Sequence, residues 1–175
     1  MAALLIFVLF ISSLVLQGSV LALAGPSGVQ PDILLVVTVA LALLADARRG
    51  AIVGLCAGLA QDILFGSPLG FFALSKMLVG TTAGLLSSDI NKELTLSAMV
   101  LMPIFTIISD LISFILLKLY QIQFPLPLLT YLKQVTLPHI AMHFLIMGII
   151  YPFLFRAQKR NLLFAESEAE EWSKL

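Results

Sequence analysis

Six apolar runs, parted only by short polar breaks, constrain this chain more than any other feature. They lie near 3–24, 32–46, 50–66, 70–88, 94–118 and 134–155. Uninterrupted apolar stretches approaching 20 residues read as membrane spans. The breaks are GPSGVQP at 25–31, ADARRG at 45–50, GSPLG at 66–70, DINKE at 89–93 and YQIQFPLPL at 120–128. Pro and Gly make GSPLG a tight turn. Only 11% of the 175 residues are charged, 60% are hydrophobic, and mean hydropathy is +1.07. A soluble domain carries about 25% charged residues. The expectation is therefore an all-α integral membrane protein of six transmembrane helices. One polytopic domain covers 1–165, and an acidic tail, ESEAEEWSKL, covers 166–175. The tail reads as a solvated end, or as a docking segment using Trp172. The second and third runs are short for full crossings, so they either tilt away from the membrane normal or borrow loop residues.

Charge sets the orientation. With six spans the loops alternate sides. One side collects Arg48, Arg49, Lys92, Arg156, Lys159, Arg160 and Lys174, and the other only Lys118 and Lys133, both at span ends. The excess of Lys and Arg marks the cytoplasmic face, which puts both termini in the cytoplasm of a multi-pass protein. Ala22-Leu23-Ala24 resembles a cleavage site, but no Lys or Arg precedes the first run, which is also longer than a signal-peptide core. It is expected to be retained as a span. A net charge of zero gives no reason to expect nucleic acid as a partner. Cys56, the one cysteine, lies in an apolar run and reads as an inert packing residue.

Polar groups inside the runs carry more information, because each is costly in lipid. Gly50, Gly54, Gly58 and Asp62 recur every four residues and share one slowly rotating helix face. The GxxxG pair at Gly54 and Gly58 lets another helix approach closely. Lys76, Gly80 and Gly84 repeat the spacing on the next run. Counted from the turn between them, Asp62 and Lys76 fall at similar depth. The expectation is that the glycine faces meet and that Asp62 and Lys76 pair; the alternative is that either side chain snorkels to the headgroups. Asp110, flanked by Ser109 and Ser113, must face protein or water. His139 and His143 are one turn apart, just after Pro138. That spacing suits a shared metal, but the glutamate of HExxH is missing, since position 140 is isoleucine. No metal and no cofactor are expected. The histidines read as structural groups, as a partner for Asp110, or as a proton-linked site.

Catalysis finds little support. There is no GxSxG elbow, no Gly-rich phosphate loop, and no activating charge beside Cys56 in sequence.

The order Pro31-Asp32, then GAIVGLCAGLAQDILFGSPLG, then FFALSKMLVG resembles the rod shape-determining protein MreD family. The resemblance covers essentially the whole chain and is most specific over 31–80. Pro31, Asp32, Gly54, Gly58, Leu59, Asp62, Gly66, Pro68, Leu69 and Gly70 match the family pattern. Together with Lys76, Asp110 and His143, which come from the reading of polar groups above, these are the candidate structural and interaction residues. The resemblance implies a non-enzymatic scaffold of the elongation machinery in the bacterial inner membrane, supporting peptidoglycan synthesis and rod shape. The implied partner is MreC, with MreB and a peptidoglycan polymerase and transpeptidase as indirect ones, and membrane lipid as a further partner of the chain. It also implies a fold like the substrate-binding subunits of energy-coupling-factor transporters. A vitamin-type transporter subunit, with a cavity lined by Asp32, Asp110, His139 or His143, is the alternative function. An intramembrane enzyme would need a nucleophile and base in contact.

Overall fold

A computed structural model describes residues 2–24, 30–66, 68–121 and 127–164. Six helices account for nearly all of them. They are α1 (Ala2–Ala24), α2 (Ile33–Leu44), α3 (Ala47–Phe65), α4 (Phe71–Leu85), α5 (Thr95–Leu119) and α6 (Leu128–Lys159). A 3-10 turn, Leu86–Ser88, extends α4, and a π-helical stretch, Leu132–Thr136, lies inside α6. No strand occurs among the described residues. The acidic tail lies outside them, as does most of the GPSGVQP break.

The short helix α2 is the centre of the bundle. Every residue from Leu34 to Leu44 is buried, and α1, α3, α4, α5 and α6 all touch it. ILLVVTVALALL is apolar on every face, which lets protein enclose it on every side without burying an unpaired charge. At 12 residues it is about 18 Å long, well short of a hydrocarbon core of about 30 Å. Its start is fixed by Asp32, whose carboxylate accepts from the Leu35 N–H at 2.8 Å. Asp46 caps α3 in the same way, accepting from Arg49 N–H at 2.9 Å. Around α2 stand two antiparallel hairpins, α3 with α4 and α5 with α6, while α1 packs on α2.

Three helical segments are long and apolar enough to cross a membrane: Phe71–Ser88, Thr95–Leu119 and Leu128–Lys159. The helices follow the expected runs closely, with one clear difference at the sixth. It was expected from about 134 and begins at Leu128. Pro127 sits just before the first helical residue, where its missing N–H costs nothing, so the helix takes in the end of the YQIQFPLPL break.

Candidate functional site: a glycine seam and a buried polar network

The α3–α4 hairpin is joined backbone to backbone. A Cβ added at Gly54 would strike the Lys76 carbonyl, and one at Gly58 would strike Ala73 Cα and the Phe72 carbonyl. Gly50 and Gly80 stand in the same relation to each other, and Gly84 meets Asp46 and Ala47. The glycine faces therefore meet as their spacing predicted. These contacts also fix the register: Gly58 lies against Ala73, Gly54 against Lys76 and Gly50 against Gly80.

That register corrects the expected Asp62–Lys76 pair. Lys76 lies opposite Gly54, two turns along α3 from Asp62, roughly 12 Å of helix. Symmetric counting from GSPLG misplaced it, because α4 begins level with Asp62 rather than with Gly66. Gly66 closes α3 in the left-handed conformation at φ 67°. The Pro68 carbonyl accepts from Phe71 N–H at 3.0 Å, and Gly70, at φ 98°, is the residue before α4. Asp62 is then an N-cap supplied from the neighbouring helix. Its Oδ2 accepts from Gly70 N–H at 2.9 Å and Ala73 N–H at 3.3 Å, and its Oδ1 from Phe72 N–H at 2.8 Å. A helix start leaves such N–H groups unsatisfied and carries positive partial charge. No side chain of the α4 start caps it, so the carboxylate, 1% exposed, satisfies the helix and the helix satisfies the carboxylate.

Lys76 is equally buried and pairs with Asp32 instead. Its ammonium also lies 5.5 Å from the centre of the Phe72 ring. Asp32 thus caps α2 with one oxygen and holds α4 with the other, which joins the central helix to the glycine hairpin. Its backbone N–H donates to His143 Nε2 at 2.9 Å, so that nitrogen is an acceptor. The other ring nitrogen of His143 then carries the proton and donates to Thr106 Oγ1 at 3.0 Å. Thr106 passes the chain on to the Met102 carbonyl at 2.9 Å. Every donor in this line has one acceptor, which assigns His143 as a neutral imidazole.

His139 stacks on His143, with ring centres 5.3 Å apart and planes 13° from parallel. Its Nδ1 lies 3.1 Å from Asp110 Oδ2. Of the roles the sequence left open for the histidines, His139 takes that of partner to Asp110. Ser75 on α4 meets Ser109 on α5, hydroxyl to hydroxyl, at 3.2 Å. The candidates Asp32, Lys76, Asp110 and His143 therefore gather in one network among α2, α4, α5 and α6, while Pro31 only precedes Asp32 and accepts from Ile33 N–H at 3.2 Å. Gly54, Gly58, Asp62, Gly66, Pro68 and Gly70 build the seam and its turn, while Leu59 and Leu69 are exposed.

Sequence reasoning passed over Thr106, Ser75 and Gln61. Thr106 carried a signal: it precedes Asp110 by one turn, as His139 precedes His143. Two antiparallel helices with polar residues at matching four-residue spacing can pair rung by rung. Gln61, 2% exposed, buries an amide oxygen that no donor meets among the described residues.

All of these polar groups except Gln61 make a hydrogen bond inside the chain. The network can hold helices in register. Both ring nitrogens of His143 are occupied, and both carboxylate oxygens of Asp62 accept from backbone donors. The sequence profile of the family described as rod shape-determining protein MreD matches residues 1–160. Neither a curated protein nor a solved structure matches the chain.

Proposed function

The chain belongs to the MreD family of rod shape-determining proteins, and from that premise we propose that it is a multi-pass scaffold of the bacterial inner membrane. In this reading it crosses the membrane six times with both termini in the cytoplasm. It binds the single-span protein MreC laterally, and so couples the cytoskeletal side, MreB, to the peptidoglycan polymerase and transpeptidase outside. The observation that carries the proposal is the inward use of the buried polar groups: Asp32, Asp62, Lys76, Asp110, His139 and His143 each bond within the chain. What the bundle offers outward is apolar helix surface, such as Leu4, Phe7 and Val15 of α1. Such surface suits a helix partner, where association in lipid comes from packing.

The test is co-expression with MreC and capture from detergent through a tag on either chain. Joint recovery through extensive washing is expected, together with rescue of rod shape when the gene is returned to a deletion strain. Recovery of MreC with other elongation proteins but never with this chain would remove the proposal.

A vitamin-binding transporter subunit is the second reading, and a fold like energy-coupling-factor subunits would accompany it. It is favoured by the incomplete burial of the network at Asp32 and His139, whose side chains are 18% and 15% exposed. Tight retention of a vitamin by the purified chain would select it.

A further inference from the structure

Two stacked imidazoles grip the backbone where the α1–α2 connection enters α2. His143 Nε2 accepts from the Asp32 N–H at 2.9 Å. One turn earlier on α6, the His139 ring donates to the Gln30 backbone carbonyl. Pro31 stands between the two gripped residues and has no N–H to satisfy. With planes 13° from parallel and centres 5.3 Å apart, the rings act on one short stretch of chain. Their tasks differ. His143 offers a lone pair to Asp32, and His139 offers a hydrogen to Gln30.

His139 has a second acceptor to serve. Its Nδ1 lies 3.1 Å from Asp110 Oδ2. A neutral imidazole carries one N–H, enough for the carboxylate or for the carbonyl; the imidazolium serves both. The charges around the ring suit that form. Asp110 faces it from α5 and Asp32 from the start of α2. Lys76, on α4, is paired with Asp32, and the Lys118 ammonium, further along α5, lies 4.8 Å from the centre of the Phe114 ring. On α6 itself, His143 is the stacked neighbour, Tyr131 faces Asp110, and Lys133 is exposed. Among the described residues His139 is the ion-pair partner of Asp110.

We infer that His139 is a proton-operated latch: charged, it holds the α1–α2 connection against the α5–α6 hairpin, and on losing a proton it keeps Asp110 and releases Gln30. Asp110 takes the remaining hydrogen because a bond to an ionised acceptor is roughly twice as strong as one to a neutral carbonyl. The sign follows. The connection is fixed on the acid side of one proton transition and loose on the alkaline side. The side chains of His139 and Asp32 are partly exposed, which gives the proton a way out. The latch belongs to the chain alone, and its failure leaves the scaffold reading untouched.

The contact is to the Gln30 carbonyl, so the side chain of that residue can be replaced by a reporter. Gln30→Cys in a Cys56→Ala background leaves one thiol, which carries a nitroxide on the detergent-purified chain. The label is expected to be immobile at about pH 5.5 and mobile at about pH 9.5, on either side of the histidine range. The ratio of mobile to immobile label should change about tenfold per pH unit, as for one proton. His139→Gln should remove the pH dependence. A nitroxide at Ser88→Cys, just past the far end of α4, should not respond. The chain has two histidines, so a histidine-labelled carbon NMR spectrum shows two imidazoles, and one should lose its proton at the midpoint of the Gln30 label. That spectrum reads the native ring even where His139→Gln fails to fold. Four results each overturn the inference: an unchanging label at Gln30→Cys, a transition that survives His139→Gln, the same transition at Ser88→Cys, or two imidazoles already neutral at about pH 5.5.

Discussion

The α3–α4 and α5–α6 hairpins solve one problem by opposite means. Each brings two antiparallel helices together where the surroundings offer no hydrophobic gain for doing so. The α3–α4 seam removes side chains: glycines at 50, 54, 58 and 80 let backbone touch backbone. The α5–α6 pair adds them, with Thr106 bonded to His143 and Asp110 to His139, one turn apart on each helix. A steric seam reads volume and ignores polarity. A polar ladder reads polarity and tolerates modest changes in volume. The Asp32–Lys76 pair bridges the two regimes, because Lys76 sits on the glycine helix while Asp32 also donates its N–H to the ladder through His143.

The comparison breaks most directly at Gly58. Gly58→Val places carbon atoms inside the space of Ala73 and Phe72 backbone, which cannot rotate away. Overpacking costs typically 1–3 kcal/mol and more where backbone must move, so a loss of about 3 kcal/mol or of monodisperse protein is expected in detergent unfolding. Gly18→Val is the control, since a Cβ there meets nothing within 4 Å. Equal effects at both positions would mean that the seam is not steric.

Next comes the bridge. Lys76→Met leaves the Asp32 carboxylate without its ion partner, and breaking a buried pair costs about 3–5 kcal/mol. Partial exposure of Asp32 puts the expected loss at the lower end. Adding Asp32→Asn should recover much of it, since the amide oxygen still caps Leu35 and no charge is left stranded. A double variant as unstable as the sum of its parts would show that the two side chains act separately.

How much of this was legible follows from the same contrast. Glycines at four-residue spacing announced the seam, because only a helix face gives that period its meaning. The apolar run of α2 announced a short span, but not that protein would enclose it on every side. The partner of Asp62 was not legible. Counting from the turn assumes that both helices start level with it, whereas α4 starts beside Asp62 and takes the carboxylate as its cap. Lys76 could then only be matched by a residue far away in sequence, and its separation from Asp32 by 44 positions left no local trace. The ladder was half legible: four of its residues stood at matching intervals, but which histidine met which partner depended on the sliding of α5 against α6.

Asp62 tests the corrected register. Asp62→Ala strands the N–H groups of Gly70, Phe72 and Ala73 away from water, and an unsatisfied buried donor costs about 1–3 kcal/mol. A net loss of about 2 kcal/mol is expected after the turn relaxes. Exchanging the charges, Asp62→Lys with Lys76→Asp, should rescue nothing, because the two sites lie two turns apart and a lysine cannot accept from a backbone N–H. Recovery in the exchanged protein would restore the pair that the register removes.

The smallest effect sharpens the comparison most. Thr106→Val keeps the shape of the side chain and deletes the oxygen that accepts from His143 and donates to Met102. Hydrogen bonds between membrane helices average about 0.6 kcal/mol and reach about 1.7, so a loss within that range is expected. His143→Phe should cost more on its own, because it also frees the Asp32 N–H at the start of α2. In the double variant the Thr106 term should disappear, since no imidazole N–H is left to strand. Full additivity would show that Thr106 and His143 are neighbours without a shared bond. The α5–α6 contact would then rest on packing, as the α3–α4 seam does, and the distinction between the two hairpins would fall.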